Sequence, residues 1–410
     1  MWLDQLDIAP GRRWTQAIEE ALLGCPVIVV ILSPASVGSR NVEDEISFGL
    51  DEGRTVIPVL HRECRVPLRL RSMHYADFRS DYGRGLSALK AALLSPGSAD
   101  LTAGAPEGAD STLSPPSWLG WTVGSHGVVL STADGGRSWN PQDTGGRRHL
   151  RSVCFIDAKN GWTVGTRGAV LHTGDGGNSW SAQNGGTSDD LRSVIFVNER
   201  TGWAVGANGV IVHTTDGGST WRWQSSGVKK TLKSVAFVDS EAGWAVGDGG
   251  VIVHTQDGGR NWKQQNSGVG GFFTIDSLES VSFVNFQTGW AVGYEGIILH
   301  TRDGGREWIR QKTEGKDFFG SVTFLDETTG WASSTSSILF TRDGGKTWIR
   351  RPYSLRHALH AVTFVDTNEG WGVSLEGDIV HSEDGGRTWV AQSSGVTSGL
   401  YAVNFPKKQY

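Results

Sequence analysis

Between Leu119 and Trp389 one arrangement of apolar and polar positions is written seven times. In the copy that ends at Trp221, Leu191 to Val197 (LRSVIFV) alternates apolar and polar residues. Gly202 to Gly206 (GWAVG) and Val210 to Thr214 (VIVHT) follow as short apolar runs, and Trp221 to Gln224 opens a fourth. Such runs bounded by glycine and polar clusters predict four strands per copy. Glycine–tryptophan pairs fall at Gly120, Gly161, Gly202, Gly243, Gly289, Gly330 and Gly370. Asp-Gly-Gly turns start at Asp134, Asp175, Asp216, Asp257, Asp303, Asp343 and Asp384, with spacings of 41, 41, 41, 46, 40 and 41 residues. A period of this length is that of four-stranded propeller blades. The Asp-Gly-Gly turn sits at the hairpin between strands three and four, where glycine supplies positive φ.

The first glycine–tryptophan unit, at Gly120, lacks a preceding strand of the LxSVxF type. The others start at Leu150, Leu191, Leu232, Leu278, Phe319 and Leu359, and the missing one lies at the far end as Leu400 to Phe405, LYAVNF. The last strand therefore completes the first blade, which closes a seven-bladed ring and removes its open edges.

The first 95 residues follow another rhythm. Trp14 to Leu23 places apolar residues at helical spacing. Gly24 to Pro34 (GCPVIVVILSP) is a continuous apolar run, the mark of a strand buried on both faces of a parallel sheet. A helix over Val42 to Glu52 and a second buried strand, Thr55 to Leu60, predict an α/β domain with a doubly wound sheet. Residues 96–117, rich in Ser, Ala, Gly and Pro, read as a flexible tether. The expected organisation is thus 1–95, a linker over 96–117, and a propeller over 118–406.

Of the 18 tryptophans, 14 belong to the repeat, and the formal net charge of −5 argues against a nucleic-acid binder. Cys25, Cys64 and Cys154 form neither a disulfide framework nor a metal-ligand spacing. With no apolar signal core and no run of 18 apolar residues, the expectation is a cytoplasmic protein without a membrane span. No metal or cofactor is called for.

The order of WLDQLDIAPGRRW, AIEEALLGCPVIVVILSPASVGSRNVEDEI, GRTVIPVL, VPLRL and YADFRSDYGRGLSAL resembles the Toll/interleukin-1 receptor (TIR) domain, over nearly all of Met1 to Leu93. The resemblance implies a flavodoxin-like α/β fold. It also implies an assembly loop containing Asp7, Pro10 and Gly11, through which TIR domains self-associate, although turn chemistry alone accounts for Pro10 and Gly11. Many TIR domains cleave the glycosidic bond of NAD with a glutamate in the helix after a Ser-Pro turn; the matching residue is Glu45. A carboxylate there would stabilise charge developing on the ribose, and the alternative is an acid on a solvated helix face beside Glu43 and Asp44. The chain starts inside the family's second strand, so the expected fold is incomplete at its N-terminus. Two readings stay open: a start upstream of Met1 that restores an NAD glycohydrolase, or a TIR half that binds without catalysing.

The unit Thr/Ser-x-Asp-Gly-Gly-x-x-Trp is an Asp-box, and GWAVG with DGG resembles the propeller of photosystem II assembly and stability factors. In such propellers the Asp accepts N–H bonds within its turn and the Trp packs below it. His172, His213, His254, His300 and His381 lie on third strands, one per blade, and are expected to pack rather than to ligate a metal. Binding is expected on the loops that join fourth strands to first strands, at Arg147, Arg148, Lys229, Lys230, Phe272, Phe273, Lys316 and Arg356. Phe318 and Phe319 stand beside Lys316. Basic groups beside aromatics suit an acidic protein or ligand, unless the loops are simply solvated with their Phe rings turned inward. Three functions follow: a TIR signalling or defence protein with a recognition propeller, a photosystem-factor-like scaffold, or an NAD glycohydrolase.

Overall fold

The computed structural model describes residues 27–32, 46, 50–51, 55–61, 70, 76–78, 89 and 118–406, apart from 270–275, 314 and 354. The chain divides into two compact units, Met1–Thr112 and Leu113–Tyr410. In the first, β1 (Val27–Leu32), β2 (Thr55–Leu60) and β3 (Ala76–Asp77) pair in that order as a parallel sheet, with Val27 opposite Thr55 and Val59 opposite Ala76. Val30, Leu32, Ile46, Val56, Leu60 and Leu70 form its core. Strand β2 is buried along its length as expected, but β1 is not: Val29 and Ile31 are 42% and 58% exposed. The apolar run is therefore one-sided, because Val30 and Leu32, with Ile28 beside them, pack into the core that holds Ile46 and Leu70. Glu45, Asp7, Pro10, Gly11, the helix expected over 14–23 and the linker lie outside the described residues.

The second unit consists of seven four-stranded antiparallel sheets. In blade 3 the strands are Leu191–Phe196, Gly202–Gly206, Val210–Thr214 and Arg222–Ser225. The first strands of neighbouring blades pack directly on one another, which makes them the innermost. Blade 1 pairs Leu400–Asn404 with Gly120–Gly124, so the two ends of the domain close the ring as the repeat predicts.

One bonding scheme locks each blade to the next. Within the Asp-box of blade 3, Thr214 Oγ1 donates to Asp216 Oδ1 at 2.8 Å and accepts from Gly218 N, also at 2.8 Å. Asp216 in turn accepts from Thr220 N and Thr220 Oγ1. Those donors, the Thr220 bonds foremost, hold the Asp216 carboxyl down at about 2. The turn fixed in this way presents the carbonyl of its first glycine to the preceding blade. Each Gly-Trp indole donates its Nε1 to such a carbonyl, at 2.8–3.2 Å in all seven junctions. A glutamine on the fourth strand donates to the same carbonyl and accepts from the next blade's Asp-box Trp; Gln224, for example, bridges Gly258 and Trp262.

Each Gly-Trp ring is also stacked. The Phe that ends the next blade's first strand lies on one face at 3.5–3.9 Å between centroids. On the other face lies His172, His213, His254, His300 or His381 at 4.7–4.8 Å. The histidines are thus packing groups, as expected. The glycine before the Trp is required by sterics: a Cβ on Gly243 would stand 2.4 Å from the Phe237 ring, which is itself stacked on Trp203.

Gly243→Ala is expected to destabilise the propeller by about 1–3 kcal/mol through overpacking, read as a lower urea midpoint; an unchanged midpoint would show that Phe237 can slide aside. A second expectation concerns pH. Burial, with Arg302 assisting at His300, presses His254 and His300 down to about 4, and the Nε2 of His300 has no partner among the described residues. Folded, these rings stay neutral while the unfolded chain protonates near pH 6.5. Stability is therefore full above about pH 6.5 and declines as pH falls toward 4. His300→Phe, the residue type that blade 6 carries there as Phe340, should raise the melting temperature more at pH 5 than at pH 8. A difference independent of pH would contradict this linkage.

Candidate binding face at the channel mouth

Every innermost strand shifts register between its first and third residues, as at Leu191 and Ser193. The residue between them is a bulge, and bulges re-aim side chains. One residue per blade is displaced in this way, directly below the loops that lead into the strands: Tyr401, Arg151, Arg192, Lys233, Glu279, Gly320 and His360, in ring order. In five blades a serine follows and ties its strand to the next blade's; Ser193 Oγ, for instance, accepts from Val235 N at 3.3 Å.

The bulged residues meet their ring neighbours. The Arg151 guanidinium lies 4.3 Å over the Tyr401 ring, and His360 approaches the same ring edge-on at 6.2 Å. Burial, with the Arg151 charge added, presses His360 down to about 4, so it is neutral at physiological pH. Lys233 pairs with Glu279 at 2.5 Å and with Asp248 at 3.0 Å, and these pairs hold it above its ordinary value despite its burial. Arg151 and Arg192 have no carboxylate partner among the described residues, and their Nε atoms are buried without an acceptor.

The loop residues picked from the sequence fall into two groups. Arg147 and Arg148 are exposed and line a cavity of about 310 Å³ together with Thr144 and Leu171. Arg148 Nη1 donates to the Arg167 carbonyl at 3.2 Å. Lys229 and Lys230 are exposed above blade 4. Asp189 and Asp190, between these loops, are tied to Asn208 Nδ2 and Arg167 N, so their lone pairs are partly spent on holding the loops. Elsewhere on the ring Lys316 pairs with Glu295 at 3.1 Å and Arg350 with Asp317, and His357 shares a hydrogen bond with Asp378 at 2.7 Å, next to the exposed Arg356.

Of the aromatics beside Lys316, Phe319 follows the inward-turned alternative. Phe319 is fully buried, because it opens the innermost strand of blade 6 where the other blades have Leu, and Phe318 is half-buried against Tyr294. Phe272 and Phe273 lie outside the described residues. The sequence reading passed over Arg151 and Arg192; its available signal was a long charged side chain at the second position of LxSVxF. What remains is a basic crescent over blades 2 to 4, at the mouth of the ring, able to accept an anionic group of a partner.

The fold and this mouth define a closed, seven-bladed Asp-box propeller built to present a ring of side chains. The family described as photosynthesis system II assembly factor YCF48 matches residues 146–226, 219–320 and 312–394, and the TIR domain family matches residues 1–91. The chain belongs to the YCF48 family through its propeller and carries a TIR domain match ahead of it.

Among solved structures, YCF48 bound to D1 peptide is similar at 22% identity and a TM-score of 0.54, covering 63% of this chain and 88% of that one. YCF48 from Cyanidioschyzon merolae is similar at 24% and 0.53, covering 64% and 91%. A GH74 xyloglucanase from Xanthomonas campestris reaches 0.54 at 13% identity, over 68% of this chain and 53% of its own. These likenesses establish the fold. No curated protein matches the chain. Among the described residues no helix is long and apolar enough to cross a membrane.

Proposed function

We propose that the propeller is a recognition module that binds an acidic segment of a protein partner at the basic crescent, and that the TIR part acts as its effector or assembly module in signalling or defence. The observation that carries this reading is the pair Arg151 and Arg192, half-buried guanidiniums at the channel mouth with no carboxylate partner among the described residues. Burying such charges without a partner is costly, and an incoming carboxylate offsets that cost. A YCF48 protein holding a peptide of D1 supports peptide capture as the propeller's task. A scaffold of the photosystem-factor type would use the same face without the TIR part.

The NAD glycohydrolase reading is favoured by the TIR match over residues 1–91 and rests on Glu45. Self-association through Asp7, Pro10 and Gly11 belongs to the same proposal.

With a fluorescent acidic peptide and anisotropy as the readout, Arg151→Glu and Arg192→Glu should each weaken binding by about tenfold or more. Lys316→Ala, at a surface ion pair worth about 1 kcal/mol or less, should leave it nearly unchanged. Equal losses in all three variants, or none, would sink the crescent as the binding face. For the enzyme, the purified chain should consume NAD and Glu45→Ala should not; if neither consumes NAD with or without the peptide, the TIR part is an assembly module.

A further inference from the structure

Six of the seven blade junctions are bridged by a glutamine: Gln142, Gln183, Gln224, Gln265, Gln311 and Gln392 each offer Oε1 to an Asp-box Trp at 3.0–3.4 Å. The junction between blades 6 and 7 departs from this. Arg351 stands at the glutamine position, and Phe340 takes the place of the histidine. Arg351 Nη1 still donates to the Gly385 carbonyl, and its guanidinium lies 3.7 Å over the Phe340 ring. Half of the glutamine's work is kept. The other half is not, because an arginine accepts nothing, and Trp389 Nε1 is buried with no acceptor among the described residues.

The space records the same change. At Gly345 a Cβ would meet the Gln311 oxygen at 2.2 Å, whereas at Gly386 it meets first the ring carbons of Phe364 and Trp389, at 3.3 and 3.4 Å. Two further guanidiniums, Arg342 and Arg387, stand near Arg351, with the Asp384 carboxylate as their counter-charge. Burial, followed by the charges of Arg387 and Arg342, presses Arg351 down to about 10, still protonated at neutral pH. The carboxylate nearby, Asp384, is held inside its turn by Ser382 and Thr388. Arg342 and Arg387 are exposed at the surface beside it.

We propose that the junction of blades 6 and 7 is a carboxylate-binding site, in which an acidic side chain or chain end of a peptide enters between Arg342 and Arg387, pairs with Arg351 and gives Trp389 Nε1 the oxygen that glutamine supplies elsewhere. The class of ligand follows from shape. A carboxylate has the planar, two-atom form of the carboxamide it replaces, and guanidinium forks match it with two parallel hydrogen bonds. Because Trp389 Nε1 is shielded from solvent, entry moves the flexible Arg351 side chain, and the indole N–H reports it. The site lies on the Asp-box hairpins, at the opposite ends of the blades from the channel mouth, and does not depend on the peptide reading above.

The test uses the full chain labelled with nitrogen-15 tryptophan, with acetate as the probe and Trp389→Phe to assign the indole resonance. Acetate should move the Trp389 N–H signal saturably downfield. Arg387→Ala should weaken the effect several-fold, and Arg351→Gln, which restores the glutamine of the other junctions, should abolish it without lowering the melting temperature. An unmoved indole, an equal response in Arg351→Gln, or a response to inorganic phosphate but not to acetate would each overturn the proposal. Anisotropy with the acidic peptide in Arg351→Gln separates the two sites, since binding at the mouth should survive that change.

Discussion

The contact on which the rest of the propeller depends is the indole N–H of each Gly-Trp pair reaching the carbonyl of the next blade's Asp-box. It is short, buried and repeated in all seven junctions. Its geometry dictates the neighbouring residues. The carbonyl is aimed only if the Asp-Gly-Gly turn is fixed, which requires the Thr or Ser hydroxyl and the Asp carboxylate. The indole is held edge-on to the carbonyl by rings on its faces, a Phe from the next blade in every case and, in all blades but the first, where Ser131 stands opposite Trp121, a His or Phe from its own. That Phe fits only over a glycine. A single interaction thus accounts for most of the repeat's fixed letters, each junction worth about 1 kcal/mol in the hydrogen bond and a similar amount in each ring contact.

The consequence is a division of labour among residue types. Residues that elsewhere suggest chemistry, seven aspartates and five histidines in register, are consumed by the lattice. Recognition is left to positions outside it, namely the bulged second residue of each innermost strand and the loops above. There pairing decides what is available. Lys233 and Lys316 are basic in sequence and neutralised in place, while Arg151 and Arg192 have no carboxylate partner among the described residues. A formal net charge of −5 is compatible with a strongly basic patch because attraction at contact distance outweighs the average over the molecule.

Blade number and ring closure were legible because both rest on local patterns, a period of about 41 residues and a strand left over at the end. The mouth was not, because a bulge breaks the period of two that sequence reading relies on. Arg151 and Arg192 then look like ordinary outward residues of an alternating strand. The bridging glutamines escaped for another reason: Gln183 acts on Gly217 and Trp221, 34 and 38 positions away in the next blade. Phe319 could be read two ways, as the first residue of its strand and as a loop aromatic beside Lys316; its burial at the position where other blades carry a buried Leu makes it the former. In the first unit the paired strands at 27–32 and 55–60 were plain from their apolar runs, yet a run cannot say whether both faces are covered, and β1 has one face open.

A repeat held this uniformly makes its exceptions informative. Where six junctions keep a glutamine and the seventh carries arginine, the substitution preserves the bond that aims the Gly385 carbonyl and gives up the one that satisfies Trp389. Drift toward a neutral surface residue would have lost both. An arginine stacked on Phe340, which itself replaces histidine, keeps the ring contact while exchanging an acceptor for a positive charge. Two coordinated departures at one junction, both adding positive charge or tolerating it, make sense as a local exchange of a small amount of stability for an anionic ligand, because the bond retained supports the Gly385 carbonyl that the Trp331 indole also uses.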